Sequence, residues 1–210
     1  MLTRICRVFL FAVVMICGCQ SYKGEVRTGT VFLGDSIFIR WDLNQYFPNK
    51  GYTDAGIAGQ TTSEILNRLP DTLTGQKVCS GDAGIITCQT ISPPQTVVIY
   101  AGWNNLFQGS DPQAAVADIE SMVQQCLQAG AIPIIATIYH FDPAFPSGAG
   151  FDGPADQINQ GLRALGSKYN ILVIDLEQVF LNQSNYTLDG VHPNSAGYSQ
   201  METAFAGALK

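Results

Sequence analysis

The chain has 210 residues, 46% of them hydrophobic and 13% charged, with a formal net charge of −6. That content can bury a full core and excludes a disordered chain. The acidity argues against a nucleic-acid partner, which would need a basic surface to displace counterions.

The first segment reads as a targeting signal. Arg4 and Arg7 precede an unbroken apolar run from Val8 to Ile16, which is too short to span a bilayer and suits a signal-peptide core. The run ends in Ile16-Cys17-Gly18-Cys19, followed by polar Gln20 and Ser21. A small residue just before a Cys at this place resembles the lipobox of bacterial lipoproteins. The resemblance implies a leader over residues 1–18, acylation of Cys19 and membrane attachment through that anchor. Ordinary secretion with an incidental thiol at Cys19 is the alternative. Residues 19–28 form a polar linker, and residues 29–210 form one domain of ordinary size.

Along the domain, apolar runs alternate with amphipathic segments. Thr30 to Leu33 reads as a buried strand ending at Gly34, and Gly51 to Ala55 as a weak second strand. Thr61 to Leu69 is expected to be helical, with a Thr cap and Pro70 as its stop. Cys79 and Cys88 bracket the turn-forming stretch Ser80-Gly81-Asp82-Ala83-Gly84. A disulfide there fits an oxidising compartment, with two free thiols as the alternative. Thr96 to Tyr100 is a β-branched strand. Asp111-Pro112 opens a helix whose apolar residues, Cys126 among them, keep helical spacing until Gly130. Ile132 to Ile138 reads as a strand, Gly153 to Leu165 as a helix, Ile171 to Ile174 as the last strand and Asn194 to Leu209 as the last helix. Five continuous apolar strands alternating with helices predict an α/β fold, a parallel sheet covered on both faces as a three-layer α/β/α sandwich. In such sheets ligands sit beyond the carboxyl ends of the strands.

Four strand-end loops carry groups suited to acyl transfer. Gly34-Asp35-Ser36 places a hydroxyl at a helix start, where a serine is also an ordinary cap. Gly59 and Asn104 stand in loops where a backbone N–H and a side-chain amide can meet an oxyanion, although both loops also suit plain turns. Asp189 and His192 lie three apart on one loop, close enough for the carboxylate to orient the imidazole, or for both to sit in a solvated turn. No Cys/His cluster has metal-ligand spacing, so no metal and no cofactor are expected.

Phe32-Leu33-Gly34-Asp35-Ser36, Gly56-Ile57-Ala58-Gly59-Gln60-Thr61-Thr62, Gly102-Trp103-Asn104 and Asp189-Gly190-Val191-His192-Pro193 occur in the order of the sequence blocks of SGNH (GDSL-type) hydrolases, and the chain resembles that family. Trp41 and Phe47-Pro48 resemble its esterase and acylhydrolase branch. The resemblance implies a flavodoxin-like fold and metal-free ester hydrolysis. Ser36 would be the nucleophile, His192 the base and Asp189 its orienter, with the backbone N–H of Ser36, Gly59 and Asn104 as oxyanion donors. The family often has a Thr and small polar residues after the serine, where this chain has Ile37-Phe38-Ile39. Its third block commonly reads Gly-Thr-Asn-Asp, where this chain has Gly-Trp-Asn-Asn. The Cys79–Cys88 segment looks like an insertion.

Trp103, Tyr139, His140 and Phe141 are expected to line the pocket, and His140 is the only rival base. A G-x-S-x-G elbow, the mark of the α/β-hydrolases, is missing from the chain. The expected substrate is a small acyl ester or lysophospholipid. The alternatives are acetyl groups on a glycan, or a non-catalytic envelope binding protein on the same fold. The expected location is the bacterial cell envelope, on the periplasmic face of the outer membrane in a Gram-negative host.

Overall fold

The computed structural model describes residues 26–148 and 150–209. The signal segment and Cys19 lie outside the described residues. No described helix is long and apolar enough to cross a membrane.

Five strands form one sheet: β1 (Thr30–Gly34), β2 (Thr53–Gly56), β5 (Thr96–Tyr100), β6 (Ile132–Ala136) and β7 (Leu172–Ile174). Their order is β2-β1-β5-β6-β7, and every neighbouring pair is parallel. Phe32, Leu33, Val97, Val98, Ile99 and Ile135 are fully buried, so side chains on both faces of the central strands meet protein. That explains their continuous apolar runs.

On one face, α5 (Pro112–Gln128) packs between α3 (Thr62–Thr74) and α6 (Asp152–Tyr169). On the other, α8 (Ser195–Ala208) packs against α7 (Leu176–Phe180) and against α1 (Ser36–Ile39). Tyr198 of α8 stacks on Trp41, which follows α1, while Phe205 meets Trp41 and Phe38 edge to face. Short helices α2 (Leu43–Tyr46) and α4 (Trp103–Phe107) complete the layers. The expected α/β/α sandwich with a five-stranded parallel sheet is therefore the observed fold.

Local boundaries differ for physical reasons. Pro70 does not stop α3, which runs on to Thr74. Proline removes one helical hydrogen bond, but buried Leu69, Thr72 and Leu73 hold the extra turn against the core. Gly75, left-handed at φ 71°, ends it instead. Helix α6 runs one turn past Leu165 to Tyr169, where Asn170 takes a left-handed cap. Strand β2 starts at Thr53 rather than Gly51, and β6 ends at Ala136 rather than Ile138.

The Cys79–Cys88 segment is an antiparallel hairpin of β3 (Val78–Asp82) and β4 (Ile85–Gln89), separate from the main sheet. Cys79 and Cys88 face each other in register and are joined by a disulfide. Cys126 is a buried free thiol of the core.

Candidate active site

Three sequence-distant side chains form one hydrogen-bonded line. Ser36 opens α1 directly beyond β1, because Asp35 caps that helix by accepting the Ile37 N–H at 3.0 Å. Ser36 Oγ lies 2.9 Å from His192 Nε2, and His192 Nδ1 lies 2.7 Å from Asp189 Oδ2. Asp189 is held by its own loop as well, since Oδ1 accepts the His192 and Val191 N–H groups at 2.9 and 3.1 Å. Burial raises the Asp189 pKa, but the bonds from the His192 N–H, the imidazole and the Val191 N–H outweigh it and keep the carboxyl below its ordinary range. The group remains ionised at neutral pH and can stabilise an imidazolium.

The loop carrying Asp189 and His192 is built around Asp142. This fully buried carboxylate follows β6 and accepts the N–H groups of Asn185, Tyr186 and Thr187 at 2.9–3.0 Å, with the Thr187 hydroxyl at 2.9 Å. Its own N–H donates to Gly190 O at 2.9 Å. Asp142 therefore organises the loop of Asp189 and His192, and among the described residues no hydrogen bond joins its carboxylate to the His140 ring.

The groups expected to donate to an oxyanion are equally tied down. Gly59 has φ 82°, a conformation that favours glycine, with open space where a side chain would begin. As the first residue of α1, Ser36 has a backbone N–H with no acceptor within its helix. Asn104 Nδ2 donates to Gln60 O at 2.9 Å and, at the longer distance of 3.5 Å, to Asp35 Oδ2, so one N–H is firmly committed and the other only weakly held. Below these groups Arg68 reaches up from α3. It donates to Gly34 O at 2.9 Å, Ala55 O at 2.7 Å and Gln60 Oε1 at 2.7 Å. Burial pushes Asp35 up to about 7 and Asp54 up to about 6 despite their bonds to backbone N–H groups and the charge of Arg68. Burial lowers Arg68 to about 10, so it stays charged at neutral pH.

The expected pocket residues divide. Trp103 and Tyr139 are buried to 1% and 0% exposure, so they belong to the core rather than to an open wall. Trp103 lies under Phe107 and Phe141, and the Tyr139 hydroxyl donates to Val191 O beneath the base loop. Aromatic bulk at these positions is used for packing. Phe141 is half-buried, and its ring fills the space beside Gly190 in the base loop. His140 is not near Ser36 in the hydrogen-bond network. Its Nε2 pairs with Asp156 Oδ1 at 2.7 Å and Glu177 Oε1 at 3.1 Å. These three residues are the described group whose donor atoms could hold a metal ion, lying within 4.8 Å of one another. Arg163 already takes the other Glu177 oxygen, and His140 Nε2 already faces both Asp156 and Glu177.

Sequence spacing concealed this grouping because its members come from three elements. It also concealed Arg68, although one signal was readable. Arg68 follows Ile65 by three residues and precedes Thr72 by four, which puts a charge on the buried face of α3.

A doubly wound sheet with a hydroxyl, an imidazole and a carboxylate in line at its strand ends is an arrangement suited to acyl transfer. Residues 32–200 match the model of the GDSL-like lipase/acylhydrolase family, and the chain belongs to that family. It is accordingly an ester hydrolase. No curated protein matches the sequence. Among solved structures, a GDSL-like lipase from Bacteroides thetaiotaomicron is 24% identical with a TM-score of 0.70, covering 86% of this chain and 87% of its own. A Bacteroides fragilis protein whose acylhydrolase assignment is provisional is 26% identical, with TM-score 0.70 and coverage of 88% and 89%. An acetyl xylan esterase is 19% identical, with TM-score 0.68 and coverage of 87% and 100%.

Proposed function

We propose that the protein is a serine esterase that cleaves carboxylic esters through an acyl-enzyme on Ser36. The observation that carries this reading is the continuous line from Ser36 Oγ through the His192 ring to Asp189, at 2.9 and 2.7 Å. Ser36 Oγ attacks the ester carbonyl while His192 Nε2 takes its proton, and Asp189 stabilises the imidazolium. The N–H groups of Ser36, Gly59 and the Asn104 amide receive the tetrahedral oxyanion. His192 returns the proton to the leaving alcohol. Water then attacks the acyl-enzyme, with His192 again as base, and releases the acid and free Ser36.

The substrate class in this reading is a small acyl ester or a lysophospholipid. A glycan O-acetyl group is the second reading. It is favoured by Phe107, which is 46% exposed and stacked on Trp103 beside Asn104, and so offers an aromatic face to a sugar ring. Ser36→Ala is expected to abolish hydrolysis of a short p-nitrophenyl ester, and full activity in that variant would refute the assignment. Chain-length profiling of esters beside acetyl release from acetylated glycans separates the two substrates. Asn104→Ala should lower turnover on the order of 10²-fold, as for loss of one oxyanion donor. Unchanged turnover would remove Asn104 from that role.

The site is proposed to work at the cell envelope, held there by an acylated Cys19. The support is the Arg-flanked apolar run and the Gly18-Cys19 junction. Labelling with a palmitate analogue should mark the wild-type chain and not Cys19→Ala. Equal label on both would refute the anchor.

A further inference from the structure

We propose that Arg68 and Gln60 act as positioning residues, one bracket that locks the oxyanion donors; the proposal rests on the serine-esterase reading above. A single guanidinium holds three points closely, with a longer fourth contact to Cys79 O at 3.5 Å. Its bond to Gly34 O fixes the end of the strand that delivers Ser36, at 2.9 Å. The bond to Ala55 O fixes the end of β2, from which the Gly59 loop issues, at 2.7 Å. The third, from Nε to Gln60 Oε1 at 2.7 Å, fixes the residue after Gly59. Gln60 passes the constraint on, because its backbone oxygen accepts Asn104 Nδ2 at 2.9 Å. The three donors lie on loops after β1, β2 and β5, and this bracket joins all of them.

The consequence follows from the torsion of an amide. The terminal torsion of Asn is broad and nearly two-fold, so an unheld Asn104 could turn its oxygen toward a developing negative charge. The bond to Gln60 O at 2.9 Å, the stronger of the two that Nδ2 makes, forbids that orientation and keeps the other N–H, whose contact with Asp35 Oδ2 is 3.5 Å, available to a stronger acceptor. An apolar residue would fill the Arg68 position on the buried face of α3 without any cost of desolvating a charge. The cationic fork is matched instead to three acceptors around the oxyanion loops.

The test uses Gln60, because removing Arg68 would leave Asp35 and Asp54 buried without a counter-charge. In the full-length protein, Gln60→Ala keeps the backbone oxygen but removes the acceptor of Arg68 Nε. Turnover of a p-nitrophenyl ester is expected to fall about tenfold, equivalent to one weakened transition-state hydrogen bond, with KM changed less than about twofold. Gln60→Glu, which retains an acceptor for Arg68, should restore most of the loss. In an Asn104→Ala background, Gln60→Ala should cost less than about twofold, because the donor it positions is already gone. Wild-type turnover in Gln60→Ala would overturn the bracket, as would an equal loss in both backgrounds. A Ser36→Ala control separates the two claims: full activity there overturns the esterase reading itself, whereas an inactive control with an unaffected Gln60→Ala overturns the bracket alone.

Discussion

Replacing Asp189 with Asn should damage the enzyme more than replacing it with Ala. The carboxylate does two jobs through two oxygens. Oδ1 accepts the His192 and Val191 N–H groups at 2.9 and 3.1 Å, and Oδ2 accepts from the His192 ring at 2.7 Å. In Asp189→Asn the amide oxygen can keep the backbone bonds, which leaves the amide nitrogen facing Nδ1. A nitrogen donor there selects the imidazole tautomer protonated on Nε2, which cannot accept the Ser36 proton. Selecting that wrong tautomer costs about 10⁴-fold in kcat, or about 5 kcal/mol, in the serine-protease template. Asp189→Ala imposes no wrong tautomer. The Asp189 side chain is 53% exposed, so water can enter and accept from Nδ1. The Ala variant should therefore retain at least about tenfold more activity than the Asn variant, with its deficit reflecting a lost orienter and a looser loop. Steady-state hydrolysis of one ester by the two variants, with active-site titration to count competent enzyme, measures the ratio. An Asn variant as active as the Ala variant, or more active, would refute the tautomer argument.

Two further outcomes follow from the buried charges and the base loop. Asp35 is raised from 3.8 to about 7 by burial, and Asp54 to about 6, so the folded protein holds protons that the unfolded chain releases. Stability present at low pH is then lost as pH rises from about 4 through about 7. In denaturant titrations, Asp35→Asn, which keeps the cap on Ile37, should flatten the decline between pH 5 and pH 8 by roughly 2–3 kcal/mol; an unchanged pH profile would contradict the burial argument. Gly190 has φ 101° and lies against the Phe141 ring. Gly190→Ala should displace the base loop and lower kcat/KM by at least about tenfold, with a reduced melting temperature. Wild-type kinetics in that variant would show that the loop tolerates the shift.

Much of this was legible in the sequence because local patterns carry the fold. The β-branched run Thr96–Tyr100 and the helical spacing of Ile119, Met122, Val123 and Cys126 each match one element in place. The convergence of Ser36, Asp189 and His192 was legible because each sits in a short loop with its own chemical signature, and a parallel sheet brings strand ends to one rim. What could not be read depended on burial and on distant partners. Pro70 looked like a stop, yet tertiary packing of Leu73 carries the helix past it. Trp103 and Tyr139 looked like pocket walls, but composition cannot say which side of a loop faces the core. The role of Asp142 has no local signature, because its partners Tyr186 and Thr187 lie more than forty residues on. The pairing of His140 with Asp156 and Glu177 was hidden for the same reason.

The most direct measurement is reaction of the purified protein with a fluorophosphonate, read by intact mass and peptide mapping. One equivalent should attach at Ser36, none in Ser36→Ala, and markedly more slowly in His192→Ala. Failure of the wild-type protein to label, or attachment at another residue with Ser36 left free, would contradict the assignment of Ser36 as the activated nucleophile.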